Sequence, residues 1–210
     1  MRESIQQFYD KVSGRQVFVI AGGPTVANQD LSLLKGKKII CINNAYKLIE
    51  NPTALYWADE NWASQHLDNL MAHKCQHRFH SKFHISKQVI DKDIKGVGKC
   101  TLLKRTAEYG IDSNVNHVCG NNGGAQVLNL LLNMRVREIV LLGYDMKLIS
   151  SKSHWHGGHG LPIRPSVYFN FIASIESMVP FLERAKVNVV NTSPNSDLNC
   201  FTKCKLEDVV

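Results

Sequence analysis

The segment Gly120-Asn121-Asn122-Gly123-Gly124, with an apolar run from Ala125 to Met134 and then Glu138-Ile139-Val140-Leu141-Leu142-Gly143-Tyr144-Asp145, decides the fold. A glycine-asparagine turn opens a strongly apolar helix, and a compact run of branched apolar residues then ends in a polar group. This is a helix feeding a buried strand. The same grammar appears upstream. Glu3 to Lys11 reads as a helix ending at Gly14, and Gln16-Val17-Phe18-Val19-Ile20 as a buried strand closed by Ala21-Gly22-Gly23-Pro24. Pro24 fits a first helical turn, so a short helix is expected from Thr25 toward Leu34. Further strands are expected at Lys38 to Ile42, Ala54 to Ala58 and Val187 to Val190, with helices at Glu60 to Ala72 and Ser166 to Ala185. Residues 75 to 105 carry short segments around Phe79 to Ile85 and Gly98 to Leu103 that fit strand and loop alike.

Near-continuous apolar strands alternating with helices predict an α/β architecture: an open, mostly parallel, Rossmann-like sheet with helices on both faces. The length of 210 residues suits a single domain, residues 1–210, with a flexible lid loop over about 148–165. Apolar residues make up 44% and charged residues 20%, which excludes a disordered chain, and no stretch nears the roughly 20 apolar residues of a membrane span. The polar N-terminus lacks a secretory apolar run, so a cytoplasmic protein is expected, of a compactness that suits a phage or prophage gene. Six cysteines without a CxxC pair read as reduced, mostly buried thiols. A net charge of +7 favours anionic partners.

Ligands of open α/β sheets bind beyond the carboxyl ends of the strands. There stand Gly22, Gly23, Pro24 and Thr25, then Asn43 and Asn44, Asp59, Asp145, and Asn195 with Ser196. Gly22-Gly23-Pro24 offers backbone N–H groups at a helix start, suited to a phosphate, or is simply a tight turn. Asn121, Asn122, Gly123 and Gly124 make a second such turn, able to read a base or ribose, or to act only as an N-cap loop. Asn43, Asp59 and Asp145 either cap helices or hold hydroxyls, a divalent metal or a proton, Asp145 foremost among the acids. His154, His156 and His159 crowd a glycine-flanked loop after Asp145 and suit proton transfer or neutralisation of a leaving phosphate; a metal site and a plain surface loop are the alternatives. His73, His77, His80 and His84 would share one face of a continuous helix, but the surrounding pattern reads equally as strand, and surface histidines are expected. Trp57, Trp62 and Trp155 are candidates to stack on a base or sugar, Trp57 rather for the core.

Val19 to Thr25, Cys41-Ile42-Asn43-Asn44, Ile139 to Asp145 and Pro194-Asn195-Ser196 together resemble the bacterial sialyltransferases of glycosyltransferase family 42. The resemblance extends to the wider group of motility-associated accessory glycosyltransferases and pterin diphosphokinase-like proteins. It implies a cytidine nucleotide sugar (CMP-sugar) bound with the glycine turn and Asn43 near the phosphate and Gly120 to Gly124 near the nucleotide. It implies His159 as the base within the lid, with His154 and Trp155 matching a His-Tyr pair, and no essential metal. The chain departs from the family with Ala58-Asp59 at the third strand end, with Gly22-Gly23 for an Asn-Gly pair, and without the family's phosphate-binding tyrosines after Asp145. Lys147 or the histidines are then expected to supply the leaving-group charge. The expected activity is inverting transfer of a sialic-acid-like sugar to a glycan or other hydroxyl acceptor, in a chain free to form a homo-oligomer. The alternatives are a diphosphokinase with Asp59 and Asp145 on Mg²⁺, and a non-catalytic nucleotide- or nucleic-acid-binding module.

Overall fold

Each central strand carries apolar residues on both faces, and this dictates a sheet sandwiched between two layers. In the computed structural model, which describes residues 2–82, 91–94, 98–157 and 164–210, ten strands form one sheet. They are β1 (Gln16–Ile20), β2 (Lys38–Ile42), β3 (Ala54–Trp57), β4 (His77–Lys82), β5 (Asp91–Ile94), β6 (Gly98–Ala107), β7 (His117–Cys119), β8 (Glu138–Leu142), β9 (Asn188–Asn191) and β10 (Thr202–Lys203). Their order is β10-β9-β8-β1-β2-β3-β4-β6-β5, with β7 also on β6, and every pairing is parallel except that of β5 with β6. The sheet is therefore open and mostly parallel, and β3-β2-β1-β8-β9 reproduces the Rossmann strand order.

The two faces of β8 show how the layers divide. Ile139 and Leu141 join a cluster with Ile5, Phe8 and Val12 of helix α1 (Glu3–Val12) and with α4 (Gly123–Asn133), α5 (Ser166–Glu176) and α6 (Val179–Arg184). Val140 and Leu142 join Val26, Leu34, Tyr46 and Trp62 on the other face, where α2 (Glu60–Gln65) and α3 (Leu67–Ala72) pack. All four side chains of this strand are fully buried. The six cysteines are free, with Cys41, Cys100 and Cys119 buried, and burial pushes the Cys200 thiol up to about 12. No helix among the described residues is long and apolar enough to cross a membrane.

Several elements differ from expectation. The helix from Thr25 toward Leu34 is instead two 3-10 turns, Pro24–Asn28 and Leu31–Leu34, because Asp30 recaps the chain by accepting from the Ser32 amide. Glu60 to Ala72 breaks at His66 into α2 and α3, and Ser166 to Ala185 breaks near Ser177 ahead of Pro180. The histidine face does not form: His77 and His80 lie on β4, three residues apart and so on opposite sides of the sheet, while His84 lies outside the described residues. His80 is also no surface residue. It is 1% exposed, stacks on Trp57 and donates from Nδ1 to the Trp57 carbonyl at 3.1 Å.

Leu141→Ala is expected to cost about 3 kcal/mol in urea denaturation, the penalty of a cavity between two packed layers. Burial holds His77 and His80 below their ordinary 6.5, so as pH falls through that value the unfolded chain takes up protons first. Stability should be fully present at neutral pH and decline as pH falls below 6.5. His80→Asn, which can still donate to the Trp57 carbonyl, should flatten the decline in the urea midpoint.

Candidate functional site

From β1 the chain moves outward through β2 and β3; from β8 it moves the opposite way to β9. Their neighbouring carboxyl ends form the topological switch point, where a crevice opens. Two glycine turns meet there at close quarters. The Gly23 amide donates to Gly143 O at 2.9 Å, and a Cβ on Gly23 would lie 2.2 Å from Asp145 Oδ2 and 2.3 Å from that same carbonyl. Gly143 takes φ +70°, the left-handed region open to glycine. Asp145, 2% exposed, accepts the Thr25 amide on Oδ2 at 3.0 Å and the Thr25 hydroxyl on Oδ1 at 2.5 Å. The Thr25 hydroxyl also lies 3.0 Å from that of Ser193. Asp145 thus ties the two strand ends together, with both oxygens engaged. The backbone donors expected of the first glycine turn are largely committed: Gly23 N–H to Gly143, Thr25 N–H to Asp145, and Val26 N–H to Gly23 O. Pro24 opens only a 3-10 turn, so a helix dipole aimed at a phosphate is absent from this turn.

The histidine loop rests on this knot. The Trp155 amide donates to Gly22 O at 3.1 Å, and the His154 ring lies over Gly22, whose Cβ would come within 3.2 Å of its Nδ1. His154 and His156 stack with ring centroids 5.1 Å apart. Asn44, buried, donates from Nδ2 toward the His156 ring, 3.1 Å from Nε2, and accepts from Trp62 Nε1 at 3.0 Å. Trp62 therefore braces an asparagine from within the core, where Trp57 also lies, 1% exposed.

The second glycine turn reaches the same rim. Asn122 caps α4 by accepting from the Ala125 amide, and Asn121 donates to Asn170 O of α5. A Cβ on Gly123 would lie 3.0 Å from Ile42, the residue before Asn43, and one on Gly124 2.8 Å from Tyr144, the residue before Asp145. Gly22, Asn43, Asn122 and Asp145, far apart in the chain, thus gather at one end of the sheet. Three buried polar atoms around the rim have no hydrogen-bond partner among the described residues: Asn43 Oδ1, Trp155 Nε1 and Tyr168 Oη. Asn43 sits at φ +49°, a left-handed conformation for a side-chain-bearing residue. The Tyr168 hydroxyl is held above its usual range by burial and then by the charge of Asp145.

Other expected site residues lie elsewhere or serve the scaffold. Asp59 caps α2, accepting from the Asn61 and Trp62 amides. It follows β3, three strands from β8, so it and Asp145 stand about 14 Å apart and cannot share one Mg²⁺. No three His, Cys, Asp or Glu side chains among the described residues converge to hold a metal ion. Lys147 pairs with Asp197 at 2.8 Å on the surface. Ser196 is buried and donates to Tyr144 O at 2.6 Å, whereas Asn195 is exposed in the adjoining turn. His159 lies outside the described residues.

The sequence reading passed over Tyr168 and a cavity of about 580 Å³ lined by Asp59, Glu60, Asn61, Ser81, Lys82 and Arg105. The cavity is not legible in the sequence because the segments that form β4 and β6 fit strand and loop alike; Tyr168, in the first turn of α5, is signalled only by its place just past the histidine loop. Buried Gln126 ties the cavity to the crevice: its Oε1 accepts from Tyr56 and Ser81, and its Nε2 donates to Gly120 O.

Thr25→Val removes both the hydroxyl donated to Asp145 and its contact with Ser193, and should cost about 2 kcal/mol in denaturant unfolding. Comparison of the chain with protein-family models and with curated proteins finds no match.

Proposed function

We propose that the protein is an inverting glycosyltransferase that moves a sugar from a cytidine nucleotide donor to a hydroxyl acceptor. The observation that carries this reading is the docking of the His154-Trp155-His156 segment onto Gly22 and Asn44 at the switch point. Imidazoles stand there beside a rim that holds polar atoms in need of partners. Asn43 Oδ1 would accept from the base amino group or a ribose hydroxyl, and the Tyr168 hydroxyl would donate to a phosphate oxygen. His159, three residues after His156 in the sequence, takes the proton of the acceptor hydroxyl. The freed oxygen attacks the anomeric carbon from the face opposite the donor phosphate, the bond from that carbon to the phosphate oxygen breaks, and the nucleotide leaves with the electron pair. Protonated His154 or His156 offsets the departing charge. The polar cavity past Asp59 and Lys82 lies on the same side of the sheet and suits a hydroxyl-rich acceptor. No step requires a metal, and Mg²⁺ would act only as a counter-ion to the phosphate.

Thermal-shift titration with CMP, UMP and GMP, with and without Mg²⁺, tests the donor. Saturating CMP should raise the melting temperature by about 5–10 °C, more than UMP or GMP. Tyr168→Phe should weaken CMP binding about tenfold, and His159→Ala should keep CMP binding while abolishing transfer. Unchanged turnover in His159→Ala, or no CMP-dependent shift, would overturn the reading.

A further inference from the structure

The opposite end of the sheet has its own concavity. A groove of about 690 Å³ runs beneath the amino ends of β2 and β3, between the turn Lys35-Gly36-Lys37-Lys38 and the turn Glu50-Asn51-Pro52-Thr53. Lys11 of α1 closes it from the side. Four lysines against one glutamate leave three positive charges in excess here, a large share of the chain's +7. None of these lysines has a carboxylate within ion-pair distance among the described residues, although Glu50 lies in the same groove. The field is felt by a neighbour: His77, at the start of β4, is pushed down first by burial and then by the charge of Lys11.

Lys37 Nζ stands 6.0 Å from the Phe18 ring centroid, but like charges without carboxylate partners around a concavity repel one another, a cost that an anion would relieve. The floor narrows the choice of anion. Half-buried Leu31, Leu48 and Ile49 line it, above the buried Leu34 and Ile39, so the occupant joins an apolar portion to its charge. No aromatic residue lines the groove, which removes the stacking platform of a single-strand nucleic-acid track. β2 and β3 are interior strands, so no open edge is available to an extended peptide. We infer that this groove is a second binding site, for a phosphate carried on an apolar chain, and that it docks the protein on an anionic phospholipid surface. The crevice at the other end of the sheet then faces away from that surface.

Co-sedimentation with vesicles of phosphatidylcholine alone, and of phosphatidylcholine mixed with phosphatidylglycerol, tests this at low and physiological salt. The protein should bind the mixed vesicles only, less at the higher salt. Replacing Lys35, Lys37 and Lys38 by alanine together should weaken binding on the order of a hundredfold while leaving the CMP-dependent thermal shift unchanged. Lys35→Glu, on an exposed side chain, is the second variant should the triple one misfold, and should weaken binding at least tenfold. Equal binding to both vesicle types, no binding to either, or wild-type binding by the variants would overturn the inference. So would a lysine-dependent thermal shift with free glycerol 3-phosphate unaccompanied by vesicle binding, which would make the site one for a soluble phosphate.

Discussion

Everything at the switch point depends on the contact between Gly23 and the Gly143–Asp145 turn. Two parallel strands whose connections leave in opposite directions have nothing in their ladder to hold their ends together once the pairing stops. Here the ladder continues for one further step, from Gly23 N–H to Gly143 O, and Asp145 completes it with two hydrogen bonds from Thr25. A buried carboxylate is costly unless its oxygens are satisfied, and Thr25 satisfies both from one residue. The arrangement leaves no volume for a side chain at position 23, so backbone rather than side chain forms that wall of the crevice.

Once that knot is tied, the loop after β8 has a fixed place to land. Gly22 presents an unencumbered carbonyl to the Trp155 amide and a flat surface to the His154 ring. Asn44, anchored from behind by Trp62, fixes the next imidazole. A chain of single contacts therefore runs from the core tryptophan to the histidines, and loss of any one of them would loosen the loop without unfolding the sheet. Gln126 plays a comparable part between the second glycine turn and the polar cavity, meeting Tyr56, Ser81 and Gly120 with one side-chain amide.

Much of this fold was legible because its central strands are short apolar runs bounded by glycine or polar residues, as Gln16–Ile20, Lys38–Ile42 and Glu138–Leu142 show. What escaped was decided by local competition. Asp30 accepts the Ser32 amide and interrupts the helix that periodicity suggested after Pro24. The β4 and β6 strands mix charged and apolar residues, so their pattern alone does not separate strand from loop. At the site, position along the chain correctly marked strand ends, since parallel pairing brings all carboxyl ends to one side. It could not tell a binding group from a brace: Asp145, Asp59 and Ser196 look alike in sequence, and only contacts reveal that each is bound to the protein's own backbone.

The borders of the sheet carry a consequence for assembly. Among the described residues, one margin ends in β10, of two residues, and the long β6 is flanked on its outer side by β5 and β7, of four and three. Strands this brief present too few unpaired amides and carbonyls to template a neighbouring chain, so edge-to-edge growth into larger sheets is discouraged. Association of copies is then left to helix surfaces, and the most exposed large apolar side chain among the described residues, Phe169 at 74%, stands on α5 next to Tyr168 at the carboxyl rim.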